Sequence, residues 1–128
     1  MNIDQNTIIE TLQNGECLTL ECKRAKSEVP KSVWETYSAF ANTIGGVILL
    51  GVEENRKEPD IKKRFQIIGV DDAQKIVNDF WNTINSDKVN ENILSSNDVD
   101  TVKIDGVQIV CIHVPQADWR IKPIYLNG

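Results

Sequence analysis

Apolar and polar residues alternate through Leu18, Leu20 and Cys22 on one side and Thr19, Glu21 and Lys23 on the other. A period of two predicts a strand over residues 17–23, with Glu21 and Lys23 turned outward or into a cleft. Upstream, Asp4 can cap a short helix through Ile8, Ile9 and Leu12 that ends at Asn14-Gly15. After Pro30 the period changes. Val33, Tyr37, Phe40, Ala41 and Ile44 fall on one helical stripe behind Ser32 as cap, and Gly45-Gly46 stops it. The continuous apolar run Val47 to Val52 predicts a central strand buried on both faces. Residues 53–64 are polar and broken by Pro59, so they read as an exposed excursion before a short strand over 65–70. Asp71 or Asp72 then caps a helix carrying Ile76, Val77, Phe80, Trp81 and Ile84, and 85–97 reads as a loop. Val99 to Ile104 and Val107 to Val114 flank Asp105-Gly106, the strongest hairpin signal in the chain, and the tail 121–126 can add an edge strand.

This order predicts an α/β (α+β) fold: a single domain, spanning residues 1–128, with a mixed sheet, about three packed helices and a C-terminal hairpin. Length agrees, since 128 residues make one core and not two. Apolar content of 41% with 26% charged residues is that of a globular chain, which sets disorder aside. No apolar run approaches the roughly 20 residues of a membrane span, and the start lacks a signal peptide, so a cytoplasmic protein without membrane contact is expected. Three cysteines with no framework spacing fit a reducing compartment. A net charge of −5 argues against coating nucleic acid by bulk charge, but leaves room for a local basic face.

Candidate chemistry concentrates between Glu16 and Glu54. Glu16 precedes the first strand, Glu21 and Lys23 share its outer face, and Glu53-Glu54 follow the central run. Carboxylates at neighbouring strand ends can converge, and two or three could hold Mg²⁺ or Mn²⁺; the alternative is a solvated surface with Lys23 as ion-pair partner. Basic residues form groups at Lys23, Arg24, Lys26 and Lys31, at Arg56, Lys57, Lys62, Lys63 and Arg64, and at Arg120 and Lys122. The second group lies in the excursion, where it either binds phosphates or is diluted by Glu53, Glu54, Glu58 and Asp60. Asn42 can brace the Gly45-Gly46 turn or touch a ligand. The two glycines follow a helix and precede a strand, and no Gly-Lys-Ser/Thr ending is present, so ATP is not expected. Trp34, Tyr37 and Phe40 follow core spacing, His113 reads as a core-edge residue without an acidic neighbour in sequence, and Trp119-Arg120 offers a ring and a cation to a base or partner.

Leu20-Glu21-Cys22-Lys23 and the block Tyr37 to Glu54, with Ala-Phe-Ala-Asn-Thr-Ile-Gly-Gly and a strand ending in Gly-Val-Glu, resemble the Schlafen AlbA_2 domain. Gly106-Val107, His113-Val114-Pro115 and Lys122-Pro123-Ile124-Tyr125 extend the resemblance over nearly the whole chain. It implies a nucleic-acid-binding module, DNA or RNA, in the N-terminal part of a longer bacterial protein such as a transcriptional regulator. It also implies an alternative, a metal-dependent ribonuclease. There the family's Glu-x-Lys falls on Glu21 and Lys23, its preceding acid on Glu16, and its third acid on Glu53, with Glu54 as the other choice; Mg²⁺ or Mn²⁺ would then be the cofactor. Active Schlafens pair two such lobes, and family members continue past the Lys-Pro-Ile-Tyr segment, whereas this chain supplies one lobe and ends there. A third reading, from the residues themselves, is a protein-interaction or dimerisation domain joined through an exposed sheet edge.

Overall fold

The computed structural model describes residues 20–127, with 61 and 62 described by their backbone. Strand β1 (Leu20–Lys23) passes through helix α1 (Ser32–Asn42) to β2 (Gly46–Leu50), which lies beside it in parallel, Leu20 opposite Val47 and Lys23 opposite Leu50. Parallel neighbours cannot be joined by a tight turn, so the helix is their crossover. Strand β3 (Val52–Glu54), a one-turn helix α2 (Ile61–Arg64) and β4 (Phe65–Ile67) make a separate antiparallel hairpin. Helix α3 (Ala73–Ile84) follows, then β5 (Val99–Ile104) and β6 (Val107–Val114), which complete a mixed sheet in the order β1-β2-β6-β5. The α/β class, the central placement of β2 and the β5–β6 hairpin are as the sequence predicts. Asp105 (φ 51°) and Gly106 (φ 84°) both take the left-handed turn conformation that a two-residue hairpin needs.

Alternation divides the sheet into two buried faces. Ile48, Leu50, Val110, Ile112 and Val114 pack against Val33, Trp34, Tyr37 and Ala41 of α1 and Ile76, Phe80 and Ile84 of α3. Trp34 stacks on Phe80 with centroids 5.1 Å apart, tying the helices together by about 0.5–1.5 kcal/mol beyond the area buried. Leu49, Val102, Ile104, Ile109 and Cys111 fill the other face with Val52 of the β3–β4 hairpin. Tyr37 is fully buried, and its hydroxyl donates to the Glu91 carbonyl (2.8 Å) and accepts from the Ile93 amide (3.1 Å), pinning the loop before β5.

Several elements differ from expectation, each for a local reason. The apolar run from Val47 is not one strand: Gly51 (φ 98°) breaks it, and Val52 to Glu54 leaves for the second sheet. The Gly51 carbonyl accepts the amides of Ile68 and Gly69 (2.8 Å each) while its own amide donates to Lys23, and a Cβ there would stand 3.0 Å from the Gly69 carbonyl carbon. Ser32 does not cap α1, because the Val33 and Trp34 amides already bond the Pro30 and Lys31 carbonyls; at α3 Asp72 does cap, accepting from the Lys75 amide at 3.1 Å. Ile44 is 73% exposed instead of core, since α1 ends at Asn42 and the chain turns away through Gly45. The tail is no edge strand. A 3-10 turn (Trp119–Ile121) leads to a cis Lys122-Pro123 bond, and only Leu126 bridges, to Val89. Among the described residues there are two long helices and the one-turn α2; the helix expected over 4–12 lies outside the described residues.

The tail is held by side chains. Asn42 Nδ2 donates to the Ile124 carbonyl and Asn42 Oδ1 accepts the Ile124 amide, both at 2.7 Å, and Ser38 Oγ donates to the same carbonyl at 2.6 Å. Asn42 thus grips a distant backbone and not the Gly45-Gly46 turn it was expected to brace. That turn is closed by the Gly45 amide reaching back to the Phe40 carbonyl at 2.8 Å, with Gly46 entering β2 opposite Val114. Gly45 has φ 81°, and a Cβ on it would lie 2.6 Å from the Val114 carbonyl oxygen. Gly45→Ala is therefore expected to cost at least about 1–3 kcal/mol, read as a lower urea midpoint at unchanged m-value.

Candidate functional site

The break at Gly51 places the β3–β4 hairpin beside the end of β1. Glu21 and Lys23 stand in register with Ile48 and Leu50, and Leu20 and Cys22 with Val47 and Leu49, so the alternation of β1 holds. All four are half-buried, so neither side of β1 is freely solvated. Arg56, in the loop after β3, reaches two carboxylates: its Nη2 is 3.6 Å from Glu21 and its Nε is 3.6 Å from Glu54. Arg24 stands 3.8 Å from Glu53. Successive residues of β3 alternate sides, so Glu54 and not Glu53 shares a partner with Glu21. Glu16 lies outside the described residues. Among the described residues no three His, Cys, Asp or Glu side chains are grouped to hold a metal ion. Exposed pairs at these distances contribute about 0–1 kcal/mol each, so the cluster shapes charge more than it holds the fold. Burial, and then the charges of Glu54 and Glu21, push the Cys22 thiol up to about 12, while burial lifts Cys111 to about 12 as well. Both are protonated packing residues and poor nucleophiles.

The excursion between β3 and β4 is ordered by its own polar groups. Asn55 Oδ1 accepts the Lys57 amide at 3.1 Å, the Glu58 amide bonds the Asn55 carbonyl, and the Arg64 guanidinium donates to the Glu58 carbonyl from Nε (3.4 Å) and Nη2 (3.3 Å). An open polar cleft of about 350 Å³ lies on this hairpin, lined by Glu53, Glu54, Asn55, Lys63, Arg64 and Gln66. The basic residues predicted to meet phosphate therefore separate into kinds. Arg24 and Arg56 are ion-paired, Arg64 staples the loop, and Lys23 is half-buried in β1. Lys26, Lys57 and Lys63 are exposed, and among the described residues none of the three carries an ion pair; Lys62 belongs to α2 by its backbone.

Sequence spacing missed one pair. His113 Nδ1 lies 3.1 Å from Asp98 Oδ1, because the antiparallel register sets the residue before Val99 beside the one after Ile112. Asp98 also takes the Ser95 amide (2.8 Å) and hydroxyl (3.2 Å) on Oδ2, closing a capping box on the 3-10 turn Ser96–Asp98. The signal lay in the hairpin arithmetic, not in any motif. Burial opposes ionisation of Asp98, but the bonds from Ser95 and His113 outweigh it and hold the carboxyl below its ordinary 3.8.

A mixed sheet with helices on one face and a charged, hydrogen-bonded hairpin at the end of its parallel pair defines an α/β domain of the kind that presents ionic side chains from a fixed frame. The chain belongs to the Schlafen AlbA_2 family, whose model matches residues 16–125. It is similar, at 25% identity and a TM-score of 0.77, to the solution structure of the N-terminal domain of a RecG-related protein from Nitrosomonas europaea, provisionally described as an ATP-dependent DNA helicase; the match covers 99% of this chain and 82% of that one. No curated protein matches the chain.

Because the Asp98 carboxyl binds its proton less readily in the folded state, it contributes stability that is complete above 3.8 and is lost as pH falls from there through the lower folded value. Asp98→Asn should remove that part of the acid dependence. Urea midpoints measured from pH 5 downward should show the gap between wild type and variant narrowing as pH falls, and a gap independent of pH would contradict this role.

Proposed function

We propose that this domain binds nucleic acid through phosphate contacts at the β3–β4 hairpin. The observation that carries the reading is the placement of Lys57 and Lys63, exposed and without ion pairs among the described residues, on a β3–β4 connection whose backbone is already fixed by Asn55 and Arg64. Cations held on an ordered loop lose little freedom on meeting a phosphate, and such contacts position a strand without reading its sequence. Family membership and the helicase-related neighbour support the same substrate class. A role within a transcriptional regulator is the finer form of this reading. Binding is preferred over metal-dependent cleavage because Glu21 and Glu54 already face one guanidinium, which a cation would have to displace.

Affinity for oligonucleotides should fall steeply between about 50 and 200 mM salt, as counterion release requires. Replacing Lys57 and Lys63 together by alanine should weaken every sequence alike and flatten the log–log salt slope by about 2, whereas Arg64→Ala is unsuitable because it loosens the loop itself. Fluorescence anisotropy with labelled DNA and RNA reads both effects. No binding at about 50 mM salt would reject the reading, since electrostatic affinity is strongest there.

A further inference from the structure

Four large apolar side chains among the described residues stand exposed: Trp119 (80%), Ile44 (73%), Tyr125 (52%) and Ile121 (38%). Scattered exposed apolar residues are ordinary, but these belong to two segments that the fold joins. The Ala117 amide donates to the Ala41 carbonyl, Asn42 grips Ile124, and Gly45 lies against Val114 to Gln116. Trp119 is the most exposed of the four and sits on a fixed support. Asp118 caps its 3-10 turn by accepting the Arg120 amide (3.0 Å) and holds the Arg120 guanidinium from both oxygens (2.7 and 3.1 Å). Residues 41–46 carry no charge, and residues 115–126 carry Asp118, Arg120 and Lys122. With Asp118 taken up by Arg120, the charge of this segment that has no ion pair among the described residues is the Lys122 ammonium, on a chain whose net charge is −5. An uncovered ring with an unbalanced cation three residues away complements a base and its phosphate.

We propose that Trp119 is a stacking platform for an unpaired base, with Lys122 meeting the adjoining phosphate, so that the nucleic acid bound is single-stranded. The proposal rests on the nucleic-acid reading above and deepens it. An indole reaches the face of a base only where that base is unstacked from its neighbours, which a single strand allows at far lower cost than a duplex. The hairpin with Lys57 and Lys63 follows the end of β2, whereas Trp119 lies beyond its beginning, where Gly46 pairs with Val114. Five strand residues, roughly 16 Å, separate those ends, so a ligand touching both must be longer than a dinucleotide.

Oligothymidylates of 4 and 16 nucleotides and a 16-base-pair duplex, titrated at about 50 mM salt with tryptophan fluorescence as readout, test this. Trp34 is buried and Trp81 half-buried, so Trp119 supplies the accessible emission. Stacking predicts quenching by the 16-mer and little by the duplex. Trp119→Ala should weaken the 16-mer about tenfold, with Trp119→Phe keeping most of the affinity and Lys122→Gln losing part of it. The melting temperature of each variant should stay at the wild-type value, as the exposure of the ring requires. Wild-type affinity in Trp119→Ala, with loss of binding in the Lys57 and Lys63 double variant, overturns the stacking role and leaves the hairpin reading standing. No binding by the wild type overturns both. Loss of self-association in sedimentation of Trp119→Ala, with affinity unchanged, assigns the patch to a second copy of the chain and also overturns the proposal.

Discussion

The positive φ at Gly51 is the constraint on which the arrangement of charge depends. Its carbonyl receives the amides of Ile68 and Gly69, just past the end of β4, and its amide is spent on β1, so a single residue ties the hairpin of the second sheet to the first. A side chain there would meet the Gly69 backbone, and the approach of the two glycines is what lets the hairpin fold close to β1. Without that turn the apolar run would continue straight, and Glu53 and Glu54 would extend beyond the sheet away from Arg24 and Glu21. The ionic network is therefore a product of backbone geometry first and of side-chain chemistry second.

Much of the frame was legible because it obeys short-range rules. The period of two in β1, the helical stripe of α3 behind Asp72 and the Asp105-Gly106 turn each state their structure within about a dozen residues. What escaped was decided by distant partners. Nothing between Val47 and Val52 announces a break, since Gly51 looks like any small residue in a strand until Gly69 is brought against it. The residues Ile121 to Leu126 have strand-like composition, but Asn42 and Ser38 supply the hydrogen bonds that a neighbouring strand would have given Ile124. Asp98 and His113 meet through register alone.

The candidate site was legible in composition and less so in grouping. Glu21, Lys23 and the basic cluster of the excursion were all visible, yet a list of charges does not say which are already spoken for. The structure sorts them by partner: two arginines serve carboxylates, one holds a loop, and lysines remain for solvent or for an anion. Net charge conceals this sorting, because a chain of −5 can still present a positive edge when its acids are met from within.

The grip of Asn42 on Ile124 also bears on the order in which the molecule can assemble. The two residues are 82 apart in sequence, so their bonds close nearly two thirds of the chain into a single loop and reward folding only after the intervening strands and α3 are in place. Contacts of such span raise the mean sequence separation that slows two-state folding, while the helical crossover from β1 to β2 is far more local. Docking of the tail is thereby tied to the folding of everything between the two residues, and the surface that carries Trp119 is complete only in the folded domain.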